Sequence, residues 1–492
     1  MEQSRTFLRN VTSLTSANFA AALVQAVISL VIINYFKEAR YGVFNTAMAF
    51  STVFLIFAET GVGARFLYDR SGDKSTIDEH FGAALVLQVG PYLVTFMLTV
   101  AMAFVFRYDR LLITLIAIVS GAAVLRIFAE LCEKVLNVYQ EIHLTAMLRA
   151  VRFMTIALGG VGIVVFHGSL VAWALVTLCV MFIAAVTTLA AALRLARPRL
   201  VLSTLWPTLR ASYIFGIGAV FLGIYEYVDR PILSKLLPHD TWQASVGVYA
   251  AAYTLIMFTS TLPSSLVASL EPIVYGAKDD KRRLAHLGSL AVRAAGTVAL
   301  PLAAATAILS ENVRWLVLPS YDKDAATVLT ILSVFLLFKF MNWPGGMLMA
   351  ASGQQPRRAT VQGIAVVLNI GINLVVIPYL GIFGAALTTV LTEGFIFAVY
   401  QTSVTRALPG YGQWRRFGKP ILATAAMAAL IIAVKTALTA VIGENRFAWL
   451  AIIPPAVLVY FGMLHWLHYF TDEEMGFIER ILSKFMFWRR RS

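Results

Sequence analysis

The segment SYIFGIGAVFLGIYEYVDRPILSKLL, residues 212–237, is apolar enough to cross a bilayer, yet Glu226, Asp229 and Arg230 lie near its middle. One ionised side chain at the centre of a membrane helix costs roughly 2.5 kcal/mol or more, so such groups usually face a bundle interior or a water-filled cavity. Glu226 and Arg230 are four residues apart and therefore share one helix face. The segment predicts a membrane helix that lines a polar space.

Pro231 follows these charges directly. Proline has no amide proton and displaces the carbonyl of the residue four positions earlier, here Tyr227, so we expect a kink with an exposed backbone acceptor. A kinked helix with two carboxylates and a guanidinium favours the wall of a cavity. The alternative is an internal ion pair between Glu226 and Arg230 that only lowers the cost of insertion.

The composition extends the membrane prediction to nearly the whole chain. Of 492 residues, 59% are hydrophobic and 13% are charged, and the mean hydropathy is +0.77. A soluble protein could not bury this much apolar surface in its cores. A membrane helix needs ~20 apolar residues, and about fourteen runs qualify, so the predicted class is an all-α polytopic membrane protein. The runs are residues 11–34, 42–63, 81–106, 111–131, 144–166, 170–193, 213–237, 246–270, 286–309, 325–351, 360–377, 383–404, 421–442 and 448–470.

The distribution of Lys and Arg predicts the orientation, because short loops rich in these residues stay in the cytoplasm. With the N-terminus inside, the inner segments hold more than three times as many Lys and Arg residues as the outer ones. Both termini are therefore predicted to be cytoplasmic. The Lys and Arg residues of the same inner loops account for the net charge of +14. This positive charge predicts attraction to anionic phospholipid headgroups and not binding to nucleic acid. The two cysteines, Cys132 and Cys179, support neither a disulfide framework nor a metal site.

The two halves of the chain are similar. RYGVFNTAMAF, residues 40–50, opens the second span, and SVGVYAAAYTL, residues 245–255, opens the eighth with Gly, Val and an aromatic residue in register. A second similarity relates residues 140–174 to residues 355–387. Six spans per repeat give both copies the same orientation and leave a cleft between two lobes. The predicted domains are residues 1–200 and 201–410, one six-helix lobe each, and residues 411–492, two additional helices with a basic cytoplasmic tail.

Further polar residues inside spans have two interpretations each. Arg126 and Glu130 repeat the spacing of four, which fits either an ion pair near the inner face or a cavity role. Arg293 has no partner in its own helix, and it either reaches the interface or faces a cavity. Lys339 lies deeper, before Pro344, and the Pro-Gly-Gly sequence that begins there marks a plausible bend.

Three uncharged or acidic candidates lie further along the chain. Glu393 is a lone central carboxylate that is either protonated and hydrogen-bonded or paired with a base. Asn369 and Asn373 are one helical turn apart, and bonding between helices is their default role. If Arg126, Arg230, Arg293 and Lys339 gathered in one cleft, that cleft would suit an anion such as a phosphate.

No catalytic constellation emerges from the sequence. A G-x-x-x-x-G-K-[ST] phosphate loop does not occur, which argues against ATP hydrolysis and against an enzyme. The outer loops are short, and the longest covers residues 311–324.

Four motifs carry a family resemblance: RYGVF at residues 40–44, ETGVGARF at 59–66, VGVYAAAY at 246–253 and NIGINLVVIPYLGIFGAA at 369–386. Their order and spacing resemble the polysaccharide transporter (Wzx-type flippase) branch of the multidrug/oligosaccharidyl-lipid/polysaccharide (MOP) exporter superfamily. The resemblance covers most of the chain.

The resemblance implies two six-helix lobes in a V shape that open alternately to either side of a bacterial inner membrane. Its implied substrate is an undecaprenyl-diphosphate-linked oligosaccharide that is moved from the cytoplasmic to the periplasmic leaflet for surface polysaccharide synthesis. Proton or sodium coupling would replace ATP, without a bound cofactor, and a polymerase and other assembly proteins are the implied partners. Arg230 and Lys339 are the best candidates for the diphosphate, and Glu226, Asp229 and Glu393 for coupling or sugar contacts.

Three alternatives remain open. A multidrug exporter would share the fold, but the first span has no carboxylate like those of the cation site in such exporters, and Gln25 and Asn34 are among its polar members. A lipid II flippase would also share the fold, and the sequence separates it poorly. A membrane-embedded polysaccharide polymerase or glycosyltransferase would need outer catalytic loops that this chain does not have.

Overall fold

The secondary structure is helical throughout the described part of the chain. A computed structural model describes residues 2–62, 76–260, 270, 273–411, 417–443 and 447–470, and these residues contain no strand. The predicted all-α class is confirmed. The helices are α1 Glu2–Leu55, α2 Ile77–Val105, α3 Arg110–Val138, α4 Ile142–Val165, α5 Leu170–Leu193, α6 Leu202–Tyr227, α7 Asp229–Leu236, α8 Trp242–Thr259, α9 Lys281–Ile308, α10 Ser310–Val317, α11 Asp324–Ala351, α12 Gln355–Ala407, α13 Gly418–Ile442 and α14 Ile453–Trp466.

Among the described residues, ten helices are long and apolar enough to cross a membrane. Two of the long helices hold a sharp break. In α1 the break is at Lys37, with φ 58°, and in α12 it is at Gly381, with φ 54°. Each of these helices therefore contains two of the predicted spans. Glycine adopts a positive φ at little cost, which suits Gly381 to the turn between two spans.

The predicted seventh span is interrupted where its proline predicts a kink. Helix α6 ends at Tyr227, and α7 begins at Asp229. Pro231 lies in the first turn of α7, where a missing amide proton costs little. The next predicted span begins with α8, and its end at residues 261–269 lies outside the described residues. In α11, by contrast, the helix continues through Pro344.

Contacts divide the chain into two compact units. The first comprises Met1–Thr254, Leu318–Ala325 and Ala359–Thr388, and the second comprises Leu255–Val317, Ala326–Arg358 and Thr389–Ser492. These units divide the chain differently from the sequence repeats, so the predicted domain boundaries of 200 and 410 stay a prediction.

In the first unit, helix α3 packs against α1, α2, α4 and α5. The surrounding helices carry rows of exposed apolar side chains, such as Val94 and Met97 on α2 and Met154 and Leu158 on α4. Rows of exposed apolar side chains are typical of helix surfaces that contact the acyl chains of lipids. Helix α3 is therefore the internal helix of this group.

The two similar segments of the sequence lie against each other in the first unit. A methyl group added to Gly42 would overlap the carbonyl oxygen of Gln243, and one added to Gly247 would overlap that of Glu38. Beside this crossing, the hydroxyl oxygens of Tyr41 and Thr254 are 3.3 Å apart. The glycines that the two motifs share thus allow the two segments to cross with their backbones in direct contact.

A second set of contacts joins the loop between α2 and α3 to helix α7, also within the first unit. The Lys235 ammonium donates to the carbonyl of Phe106 at 2.6 Å and lies 3.7 Å from the ring centroid of Tyr108. The Tyr108 hydroxyl lies 2.9 Å from that of Ser234. Burial raises the pKa of Tyr108 to about 12, so its hydroxyl keeps its proton at neutral pH.

In the second unit, α9, α13 and α14 share an apolar core. Its members include Met427 and Ile431 of α13 and Tyr460 and Leu464 of α14. The Tyr460 hydroxyl donates to the carbonyl of Thr297 in α9 at 2.7 Å. The predicted additional helices therefore pack on α9.

Candidate functional site

The break between α6 and α7 places Asp229 at the first residue of α7. Asp229 is 4% exposed. Its Oδ2 accepts from the Tyr249 hydroxyl at 2.7 Å, and its Oδ1 accepts from Nδ2 of Asn373 at 2.7 Å. Hydrogen bonds to an ionised acceptor are stronger than neutral ones and offset part of the cost of burying the charge.

Asn369 and Asn373 lie on the same face of α12 and are fully buried. Nδ2 of Asn373 also donates to Oδ1 of Asn369 at 3.0 Å. Through its bond to Asp229, Asn373 connects α12 to α7, so the predicted bonding between helices is confirmed. Oδ1 of Asn373 is buried without a hydrogen-bond partner among the described residues.

Arg230 is buried next to Asp229, 5% exposed. Its Nη1 donates to the carbonyl of Glu226 at 3.4 Å, so the guanidinium covers a backbone acceptor at the helix break. The guanidinium carbon lies 4.9 Å from the ring centroid of Tyr253 and 5.3 Å from that of Tyr227. Aromatic faces stabilise a cation without neutralising it. Nε of Arg230 has no partner among the described residues, and Glu226 is half-buried.

Lys339 and Glu393 belong to the second unit, and both are buried. Nδ2 of Asn342, one turn after Lys339, donates to Oε1 of Glu393 at 3.0 Å and to its carbonyl at 3.0 Å. Lys339 and Glu393 both act electrostatically on Tyr400. A pairing of Glu393 with a base stays a prediction.

Two other candidates have partners of their own. Nη1 of Arg126 lies 2.8 Å from Oε1 of Glu130, which confirms the predicted pairing. Arg293 is 6% exposed; its Nη2 donates to the carbonyl of Tyr469 at 3.4 Å, and its guanidinium lies 5.1 Å from that ring. Arg293 thus connects α9 to the segment that follows α14. A contact between Arg293 and the substrate stays a prediction.

The structure brings Asp229, Arg230, Asn369 and Asn373 together in the first unit, which also holds Glu226 and Arg126, and places Lys339, Glu393 and Arg293 in the second. Sequence reasoning missed Tyr249, Asn342 and Tyr400. Asn342 had a signal, because it follows Lys339 by one helical turn. In the part of the chain that the structure describes, no three His, Cys, Asp or Glu side chains form a group suited to a metal ion.

The family model of the polysaccharide biosynthesis proteins matches residues 35–321, more than half of the chain. The chain belongs to the polysaccharide biosynthesis protein family. The match includes the Asp229 and Arg230 cluster and the Arg126–Glu130 pair. A relative of this family member is the "Probable low-salt glycan biosynthesis flippase Agl15" of Haloferax volcanii, 23% identical over 255 residues, which are 51% of each chain. The chain thus aligns with about half the length of this curated relative.

Solved structures share the fold of this family member. One is a lipid II flippase MurJ in an inward closed conformation, with a TM-score of 0.74 and 14% identity, covering 92% of this chain and 98% of the other. Another is a multidrug resistance MATE family transporter of the MOP superfamily, with a TM-score of 0.57 and 14% identity, covering 80% and 95%. The family match thus confirms the predicted likeness to polysaccharide biosynthesis proteins, and the solved structures show that the fold is shared with a transporter of the MOP superfamily.

Proposed function

We propose that the chain is a flippase that moves an undecaprenyl-diphosphate-linked oligosaccharide from the cytoplasmic to the periplasmic leaflet by alternating access. The observation that carries the proposal is the fold, since a member of a polysaccharide biosynthesis family matches a flippase structure over 92% of its length. Buried charges on spanning segments support a polar transport path, because such charges are costly without a polar function. We propose a bacterial inner membrane location with both termini in the cytoplasm.

Arg230 and Lys339 are the residues that we expect to meet the diphosphate. A guanidinium binds phosphate oxygens through two parallel hydrogen bonds, and an ammonium adds a point charge. Arg230 supports this role because its Nε is buried without a partner among the described residues and its neighbours are aromatic rings. Its remaining donor capacity is available to an incoming anion.

Asp229 is our candidate for ion coupling in place of ATP. Its Oδ1 accepts from Nδ2 of Asn373, which also donates to the amide oxygen of Asn369, and the Asn373 oxygen lacks a partner among the described residues. Hard cations prefer carboxylate and amide oxygens, and a carboxylate can instead take up a proton. Binding of a proton or a sodium ion would neutralise the negative charge of Asp229. The resulting change in its interactions would couple ion movement to transport.

The proposed partners are the lipid-linked glycan, anionic phospholipids at the inner face and the polymerase that consumes the exported unit. Nucleic acid is not among them. A lipid II flippase is the second candidate, favoured by the TM-score of 0.74 to MurJ.

Deletion of the gene in its native host tests the proposal. Lipid-linked repeat units should accumulate on the inner leaflet, and surface polysaccharide should be lost. Wild type should restore it, whereas Arg230→Ala should fail although the protein inserts normally. Arg406→Ala, at an exposed arginine in the last turn of α12, is the matched control and should restore export. Normal surface polysaccharide in the deletion strain would count against the proposal, and arrested peptidoglycan synthesis would favour the lipid II flippase.

A further inference from the structure

One face of helix α3 carries Arg126, Glu130 and Lys134 at intervals of four residues. This spacing places the three side chains in one row, which is roughly 12 Å long at the helical rise per residue. Arg126 and Glu130 are paired at 2.8 Å, yet their side chains are 46% and 36% exposed. The pair is thus open to its surroundings instead of being enclosed by protein.

The exposed surface beside this row of charged residues differs from a lipid-facing surface. Between residues 115 and 138, all of which the structure describes, Arg126 is the one exposed residue of α3. Helices α2 and α4, which flank α3, instead expose apolar side chains such as Met97 and Leu158. An ion pair that faced acyl chains would be poorly solvated. The open face of α3 therefore borders a polar space.

Two residues outside α3 complete the cluster. Glu59 is held in place because Oε2 accepts from the Tyr92 hydroxyl at 3.0 Å and Oε1 accepts from the amide of Gly61 at 2.9 Å. Lys134 lies within electrostatic range of both Glu59 and Glu130. Tyr92 is in turn influenced by Arg126 and Glu130. The charges of Glu59, Arg126, Glu130 and Lys134 thus cancel among themselves. Lys134 also interacts with a neighbouring group, in which Glu133 pairs with Arg149 at 2.7 Å and with Arg152 at 3.2 Å.

We propose that Glu59, Arg126, Glu130 and Lys134 form a saccharide subsite for the glycan head of the substrate, an inference that rests on the proposed flippase function. A cluster without net charge does not concentrate a diphosphate. Sugar hydroxyls, however, both donate and accept, so they can donate to the two carboxylates and accept from the guanidinium and ammonium. The subsite distinguishes a glycosylated carrier from a bare one.

Equilibrium binding to the purified full-length chain in nanodiscs tests this assignment with two probes. One probe is the lipid-linked oligosaccharide fraction extracted from the native host, and the other is undecaprenyl diphosphate. Wild type should bind the glycosylated probe more tightly. Glu130→Gln should weaken binding of the glycosylated probe roughly tenfold, about the effect of one charged hydrogen bond, and leave binding of the bare carrier unchanged. Glu311→Gln, at a half-exposed carboxylate that also pairs with an arginine, should change neither.

Arg126→Gln is the second variant and should produce the same selective loss, with an unchanged melting temperature as the check on folding. Equal binding of the two probes by wild type would overturn the subsite and leave the flippase proposal intact. So would an equal loss for both probes in either variant, or no loss at all. Failure of wild type to bind either probe would instead overturn the proposed function itself.

Discussion

Asp229 illustrates how a carboxylate is accommodated within the membrane-spanning part of the chain. Both carboxylate oxygens accept a hydrogen bond at 2.7 Å, from Tyr249 and from Asn373. Tyr249 and Asn373 are both neutral donors, so these two hydrogen bonds stabilise the carboxylate without adding a charge beside it.

We expect Asp229→Asn to remove the dependence of transport on an imposed ion gradient and to lower the transport rate at least tenfold. The amide has nearly the same shape but can neither discharge nor carry the charge that a cation needs. Transport of lipid-linked oligosaccharide in proteoliposomes, with and without a sodium or proton gradient, measures this effect. Tyr249→Phe removes one hydrogen bond and leaves the charge, so its transport should stay gradient-dependent. Gradient dependence in Asp229→Asn would exclude Asp229 as the coupling group.

The charged members of the site and the neutral Asn369 and Asn373 could be predicted from the sequence, whereas the neutral partner Tyr249 could not. Asp229 and Arg230 are conspicuous because an ionised group is costly within an apolar span. Tyr249 costs little in a span, so nothing in its immediate sequence distinguishes it from an ordinary packing residue, whereas the spacing of Asn342 from Lys339 was a usable signal. The contact of Arg293 with Tyr469 spans 176 residues of sequence, and no local pattern encodes such a pairing.

Elements follow the sequence most closely where a physical signal is local. Pro231 predicted the kink, and α6 ends at Tyr227, the residue whose carbonyl the proline displaces. At Pro344 the same residue type leaves α11 continuous, because a single lost hydrogen bond in a membrane helix is made up by neighbouring groups. Proline thus indicates a weak point, and packing determines whether the helix breaks there.

The crossing at Gly42 and Gly247 predicts an unusually strong effect of a single methyl group. A β-carbon at residue 247 would overlap the carbonyl of Glu38, which is backbone and cannot rotate away. We expect Gly247→Ala to lower the free energy of unfolding by about 1–3 kcal/mol or more. Gly371→Ala on α12 is the control, since nothing lies within 4 Å of the added carbon.

Thermal unfolding of the purified variants in detergent measures the difference. Gly247→Ala should melt several degrees below wild type, whereas Gly371→Ala should melt at or slightly above it, because alanine favours the helix. Equal melting temperatures for the two alanine variants would show that the backbones separate at the crossing without cost.

At the scale of the whole molecule, the sequence repeat and the charge distribution describe different properties. The repeat accounts for the crossing, since residues 40–50 and 245–255 supply its two glycines, Gly42 and Gly247, which both lie in the first unit. The division of the chain into compact units does not follow the repeat. Long-range packing decides that division, and the sequence pattern of either copy carries no information about it.

The bias of Lys and Arg toward the inner segments predicts the orientation of the whole molecule in the membrane. Because the chain has only two cysteines to replace, labelling of single introduced cysteines can measure this orientation. With Cys132 and Cys179 replaced by serine, single cysteines at Arg406 and Glu311, both exposed, would report the inner and outer faces. In intact spheroplasts a membrane-impermeant maleimide should label Glu311→Cys and spare Arg406→Cys, and permeabilised cells should label both. The reverse pattern would place both termini outside and contradict the rule that Lys-rich and Arg-rich loops stay in the cytoplasm.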